Sequence, residues 1–260
     1  MESDIGATGL RILVTAGGAG AGRVIATHFL DAGAKVVISD VDTTSIVSFS
    51  AEWPGSLGIV ADASDEQAVE NVVAAARTQM GGVDVLVNNV GISGPTALIE
   101  DITLDQWNEA LRINLTSHFL FARAVIPMMK AQGSGLIVNI SSASAKVGLP
   151  LRLPYVVSKS AVIAMSMNLA RELGPSGIRV NAILPGAIRG ERIGRVIRTK
   201  ADALGLDPAD YERSLLRYIS LRTMVEPDDI AAMIGFLASP AGSRISGQSI
   251  GVDGNLEWEE

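Results

Sequence analysis

The 260-residue chain is 48% apolar, enough for a sizeable buried core, and its formal net charge of −7 argues against nucleic acid or an anionic membrane as the main partner. It has no cysteine, which excludes disulfides and thiolate chemistry and fits a reducing cytoplasm. No apolar run reaches bilayer-spanning length, and the opening MESDIGATG lacks the basic and apolar regions of a signal peptide.

In chain order, short β-branched runs predict strands at Arg11–Thr15, Lys35–Ser39, Leu57–Ala61, Val83–Asn88, Gly135–Ile140, Ile178–Ile183 and Gln248–Val252. Between them lie segments of helical period, among them Arg23–Ala32, Glu66–Met80, Trp107–Ala131 and Tyr155–Leu173. The strands are mostly continuous apolar runs, as in strands covered on both faces. Regular alternation with crossover helices implies an α/β fold: a doubly wound parallel sheet of seven strands with helices on both faces. No interior linker interrupts the pattern, so residues 1–260 read as one domain. The segment from Ala187 to Thr223 is rich in arginine and contains no strand. It reads as a partly helical insertion over one edge of the fold.

The stretch TAGGAGAG, Thr15 to Gly22, follows the first strand directly. Bare backbone there, with a helix beginning near Gly22, suits close approach of a pyrophosphate to free N–H groups. The spacing does not match G-x-G-x-x-G, so the glycines alone also allow a tight turn with no ligand. Asp40 ends the second strand, where a carboxylate can accept hydrogen bonds from an adenosine ribose. It would repel a 2′-phosphate, which favours NAD over NADP.

Tyr155 and Lys159 are four residues apart, on one helix face, behind Pro154 in the first turn. A phenol is a poor base at neutral pH. An ammonium at about 4 Å, with an effective dielectric near 20, is worth roughly 4 kcal/mol toward the phenolate, the scale that acid–base work requires. The plainer alternative is an amphipathic surface pair. Ser142 ends the run NISS at the carboxyl edge of the sheet, within reach of a substrate oxygen. Arg152, Arg189 and Arg192 stand near this edge or at the opening of the insertion. Arginine grips carboxylate, sulfonate or phosphate by paired hydrogen bonds, so an anionic or polyhydroxylated alcohol is one expectation. Solvation, or pairing with Glu191 and other acids, is the alternative. His118 reads as an interface or core residue, and no metal site is evident.

These ordered motifs, with VADAS at Asp62, NNVG at Asn88–Gly91, RINLTS at Asn114, Pro185-Gly186 and GQSIGVDG near the end, resemble the short-chain dehydrogenase/reductase family in its compact form. The resemblance runs from Leu10 to about Asn255 and implies a Rossmann fold. It implies NAD held by Gly18, Gly20, Ala21 and Gly22 at the pyrophosphate, and by Asp40 and Val41 at the adenosine ribose. Asp62 and Ala63 would face the adenine. Asn89, Gly91, Pro185, Gly186 and Ile188 would border the nicotinamide side. Asn114, Ser142, Tyr155 and Lys159 would form the catalytic tetrad, with Lys159 also on the nicotinamide ribose and Asn114 holding a proton-relay water. The implied activity is hydride transfer between a secondary alcohol of a small-molecule substrate and the nicotinamide, in either direction. A cofactor-sensing regulator without turnover would be free to lose the tetrad residues, and none is lost. The family also implies a homotetramer built through the long helices. Two departures stand out. Ala16 occupies a usual glycine position, where an added methyl is expected to narrow the turn only slightly, since neighbouring Gly17 and Gly18 compensate. Gly190 stands where the family often has a carboxamide-binding threonine, which implies a differently shaped loop.

Overall fold

The seven apolar runs become seven strands: β1 (Arg11–Thr15), β2 (Lys35–Asp40), β3 (Leu57–Val60), β4 (Val85–Asn88), β5 (Gly135–Ile140), β6 (Ile178–Pro185) and β7 (Ser249–Val252). The computed structural model describes residues 7–257, apart from the side chains of Arg192, Thr199, Lys200 and Ala203. All strand pairs are parallel, in one sheet of order β3-β2-β1-β4-β5-β6-β7. The winding reverses between β1 and β4. Their carboxyl ends therefore open a crevice, the place where doubly wound sheets hold ligands.

The helices are α1 (Gly20–Asp31), α2 (Thr43–Glu52), α3 (Glu66–Met80), α4 (Leu104–Leu111), α5 (Ser117–Gln132), α6 (Ser144–Val147), α7 (Leu153–Leu173), α8 (Glu191–Leu204), α9 (Pro208–Leu216) and α10 (Pro227–Ala238). Alternation along each strand sends neighbouring residues to opposite faces. Ile12, Val14, Ile38 and Val87 pack with Phe29 of α1, Phe49 of α2 and Ile234 of α10. Leu13, Val37, Leu86 and Ile137 pack on the other face with Val72 of α3 and with Phe121 and Met129 of α5. Each fully buried side chain of this kind contributes about 1.5–3 kcal/mol. Both faces are covered, which is why the strand sequences are continuous apolar runs.

Three local features differ from the sequence expectation. α1 begins at Gly20, two residues before Gly22. The segment Trp107–Ala131 is not one uniform helix: a π turn at Arg112–Thr116 joins α4 to α5. The wider turn accompanies a reciprocal tie, in which Asn114 Oδ1 accepts from the Ile92 N–H at 2.7 Å and Nδ2 donates to the Ile92 carbonyl at 3.0 Å. α2 is not among the helical segments named from the sequence; the Asp42 carboxylate caps it at the Thr44 and Ser45 N–H groups and Ile46 and Phe49 are buried. The 187–223 segment holds α8 and α9, with bridges between Ile188 and Val225 and between Ile219 and Leu256. Among the described residues no helix is long and apolar enough to cross a membrane.

Candidate active site

The glycine turn connects β1 to α1 at the crevice. A Cβ on Gly22 would lie 2.0 Å from the Ala16 carbonyl oxygen, and one on Gly18 would meet Ser45 Cβ at 2.7 Å. Gly20 has φ +54°, and a Cβ there would meet nothing within 4 Å. The turn is thus packed on its protein side and open on its outer side. Among the described residues no side chain caps the start of α1, so the first N–H groups keep their donors for an anion. A dinucleotide pyrophosphate fits this arrangement, and Ala21 lies in the same first turn.

Asp40 is fixed beside the turn. Its Oδ2 accepts from the Gly18 N–H at 3.0 Å and its Oδ1 from the Asp42 N–H at 3.1 Å. Val41, next in sequence, is exposed. Asp62 accepts from the Ser64 hydroxyl at 2.6 Å and pairs with Arg112 at 3.4 Å. The Ser64 bond, more than Arg112, holds its carboxyl below the usual carboxylate range. Ala63 packs partly buried against the core behind it. Asn89 turns inward to the turn itself: its N–H donates to Thr15 Oγ1 at 3.0 Å and its amide to the Ala16 carbonyl at 3.1 Å. It braces the glycine turn.

Ala16 differs from expectation in kind. Its backbone has φ +49°, in the left-handed region that costs an L-residue roughly 1–2 kcal/mol. The cost of a methyl-bearing residue here lies in this backbone strain. The Gly190 backbone lies at φ +153°, ψ −179° as the N-cap of α8. This region belongs almost entirely to glycine, so a threonine could not follow the same path.

The second half of the site lies at the carboxyl ends of β4, β5 and β6. Lys159 is buried to 3% exposure, and its ammonium donates to the Ile140 carbonyl at 2.8 Å. The Lys159 carbonyl in turn accepts from Ser141 Oγ at 2.7 Å. These two bonds lace α7 to the end of β5, next to Ser142. A Cβ on Gly91 would come within 3.1 Å of Lys159 Nζ and 3.5 Å of Asn114 Oδ1. The loop after β4 therefore packs directly on the lysine. Asn114 Nδ2 also donates to Ser158 Oγ at 3.0 Å, and Ser158 Oγ donates to the Tyr155 carbonyl at 2.8 Å. Asn114 thus ties the π turn to the helix that carries Tyr155 and Lys159. Tyr155 is half-buried. The Pro185 carbonyl accepts from the Ala143 N–H at 2.9 Å, and the Gly186 N–H donates to the Val252 carbonyl at 3.0 Å. Ile188 packs partly buried against the core.

Sequence reasoning missed one side chain here and read the other, His118, as an interface or core residue. Ser144 Oγ lies 2.7 Å from Ser142 Oγ, and only its place in the run SSAS hinted at it. His118 is completely buried, with Nε2 on the Val90 carbonyl at 3.0 Å. Burial first, and the Lys159 charge second, lower its pKa to about 3. It is a neutral core residue.

Arg152 and Arg189 have different partners. The Arg152 guanidinium lies 5.8 Å from the Tyr155 ring centroid and donates to Thr96 Oγ1 at 2.8 Å. Arg189 is engaged by Glu226 at 2.8 Å and Glu212 at 3.4 Å. Its partners are Glu212 of α9 and Glu226, the residue before α10. The Arg192 side chain lies outside the described residues.

Residues 16–256 match the family model described as enoyl-(acyl carrier protein) reductase. The chain is 34% identical to the probable galactose dehydrogenase GalD of Rhizobium meliloti (strain 1021), over 94% of each protein. It is 32% identical to 2-(R)-hydroxypropyl-CoM dehydrogenase of Xanthobacter autotrophicus, over 93% of this chain and 96% of that one. The solved structure of NAD+-bound xylitol dehydrogenase superimposes with a TM-score of 0.88 at 28% identity, covering 95% of this chain and 98% of that one. The chain belongs to the short-chain dehydrogenase/reductase family and is an oxidoreductase.

Proposed function

We propose that the protein oxidises a secondary alcohol, with Tyr155 as the proton acceptor. The observation that carries this is Lys159. An ammonium at 3% exposure is costly to bury, yet this one sits a helical turn after a tyrosine, at the carboxyl edge of the sheet. A cation there would stabilise negative charge that develops on the reacting oxygens. Tyr155 takes the hydroxyl proton, and Ser142 donates a hydrogen bond to the same substrate oxygen as it becomes a carbonyl. Asn114 holds the π turn against Ser158 and so keeps the helix in register with the loop after β4. NAD, when bound, supplies the hydride acceptor. The fixed carboxylate of Asp40 favours it over NADP, and the open, uncapped turn at Gly20 supports a pyrophosphate there. Gly18, Ala21 and Gly22 line the pyrophosphate turn, Val41, Asp62 and Ala63 flank the adenosine side, and Gly91, Pro185, Gly186 and Ile188 the nicotinamide side.

The substrate is a small polyhydroxylated or anionic alcohol. Arg152 supports the anionic class, since a guanidinium beside the Tyr155 ring can grip a carboxylate or sulfonate by two hydrogen bonds. One relative is named for a hydroxypropyl-CoM substrate and another for galactose. Phe119 of α5 and Met167 of α7 are about half exposed, which supports a homo-oligomer joined through those helices.

The test offers D-galactose, xylitol, D-gluconate and 3-hydroxybutyrate with NAD+ and with NADP+, followed at the reduced-nicotinamide absorbance. Turnover with NAD+ preferred is the expected result; no turnover with any pair would sink the proposal. In Arg152→Ala the KM for gluconate or 3-hydroxybutyrate should rise roughly tenfold, with the KM for galactose or xylitol unchanged. Equal KM values for the anionic pair in both proteins would remove Arg152 from substrate binding.

A further inference from the structure

We infer that Ser144 is a positioning residue that directs the Ser142 proton toward the substrate oxygen. The inference rests on the catalytic role proposed for Ser142. A serine hydroxyl has one proton and two acceptor positions. Ser142 Oγ lies 2.7 Å from Ser144 Oγ and accepts from the Ser144 N–H at 3.3 Å. Either hydroxyl can be the donor in the first contact. When the Ser144 hydroxyl donates, both acceptor positions of Ser142 are filled from one residue. The Ser142 proton is then left for a third partner.

A carbonyl or alkoxide oxygen only accepts, so it selects this arrangement. Ser144 O–H donates to Ser142, and Ser142 O–H donates to the substrate. In such a chain each bond polarises the next and strengthens it. The bond also holds the Ser142 rotamer. Ser144 is buried at 6% exposure, so its hydroxyl has little water to compete for the contact. It opens the short helix α6, directly after Ala143, whose N–H is held by the Pro185 carbonyl at 2.9 Å. Ser144 is thereby fixed to β6 as well as to Ser142. No atom is transferred between the two serines: the bond orients one proton.

The test uses Ser144→Ala and Ser144→Thr with whichever of D-galactose, xylitol, D-gluconate and 3-hydroxybutyrate the wild type oxidises fastest. NADH binding is measured by its fluorescence in each protein. In Ser144→Ala, kcat should fall about 3- to 10-fold, with substrate KM and NADH affinity within twofold of wild type. Ser144→Thr, which keeps the hydroxyl, should recover most of the lost kcat. Wild-type kcat in Ser144→Ala would overturn the inference, even if the protein melts at a lower temperature. So would a loss of kcat that comes with lost NADH binding, because that marks a purely structural role. A wild type inert toward all four alcohols would instead overturn the dehydrogenase reading, and this inference with it.

Discussion

His118 gives the protein a stability cost in mild acid. Its ring is fully buried, its Nε2 faces the Val90 carbonyl at 3.0 Å, and its Nδ1 is buried with no hydrogen-bond partner among the described residues. Since a carbonyl only accepts, Nε2 carries the proton and Nδ1 is bare. Charging the ring would place a second proton in the interior near the Lys159 ammonium, which is why its pKa falls from 6.5 to about 3. In the unfolded chain the same ring takes up its proton near 6.5. Between these two values the unfolded state binds more protons, so stability rises with pH across the window. The contribution is complete above pH 6.5 and is lost as pH falls below it. At about pH 4.5, two units below the unfolded value, the loss is about 2.7 kcal/mol at 1.36 kcal/mol per unit. Carboxylates add little to this slope until pH approaches their unfolded range near ~4. His118→Gln keeps a donor for Val90 and does not titrate. Urea unfolding of both proteins at about pH 7.5 and pH 4.5 should show wild type losing about 2.7 kcal/mol more than the variant. His28 is present in both and cancels in the difference. Parallel losses in the two proteins would refute the buried neutral imidazole.

Two further outcomes follow from the cofactor turn. Ala16→Gly relieves the left-handed strain of roughly 1–2 kcal/mol but frees the unfolded chain by about 0.4–1 kcal/mol. The net should be about 0.5–1 kcal/mol of added stability, seen as a higher urea midpoint at constant m value; a lower midpoint would mean that Ala16 is not strained. Asp40→Asn keeps the shape that accepts from Gly18 and removes the charge. The ratio of kcat/KM for NADP+ to that for NAD+ should rise about tenfold, and an unchanged ratio would show that Asp40 does not discriminate.

The strands were legible because burial on both faces leaves each one a continuous run such as Arg11–Thr15 or Gly135–Ile140. The long helices were legible by their period. α2 was not, since TTSIVSFSAE is β-branched and serine-rich and is held by the Asp42 cap and tertiary packing. The π turn was hidden because one extra residue barely alters an apolar period. In the site, Gly18, Asp40 and Lys159 could be placed from local order along the chain. Partners distant in sequence could not. Arg189 meets Glu226 37 residues away, and Asn114 meets Ile92 22 residues away. Ala16 was recognisable as a departure, but its cost lies in φ, which composition does not display.

Replacing Tyr155 with phenylalanine tests the proposed chemistry most directly. The ring and its packing remain and only the hydroxyl is lost, so turnover of the best alcohol with NAD+ should fall by roughly 10²- to 10⁴-fold while NADH still binds within about threefold of wild type. Full turnover in that protein would contradict a phenolic proton acceptor at the end of this sheet.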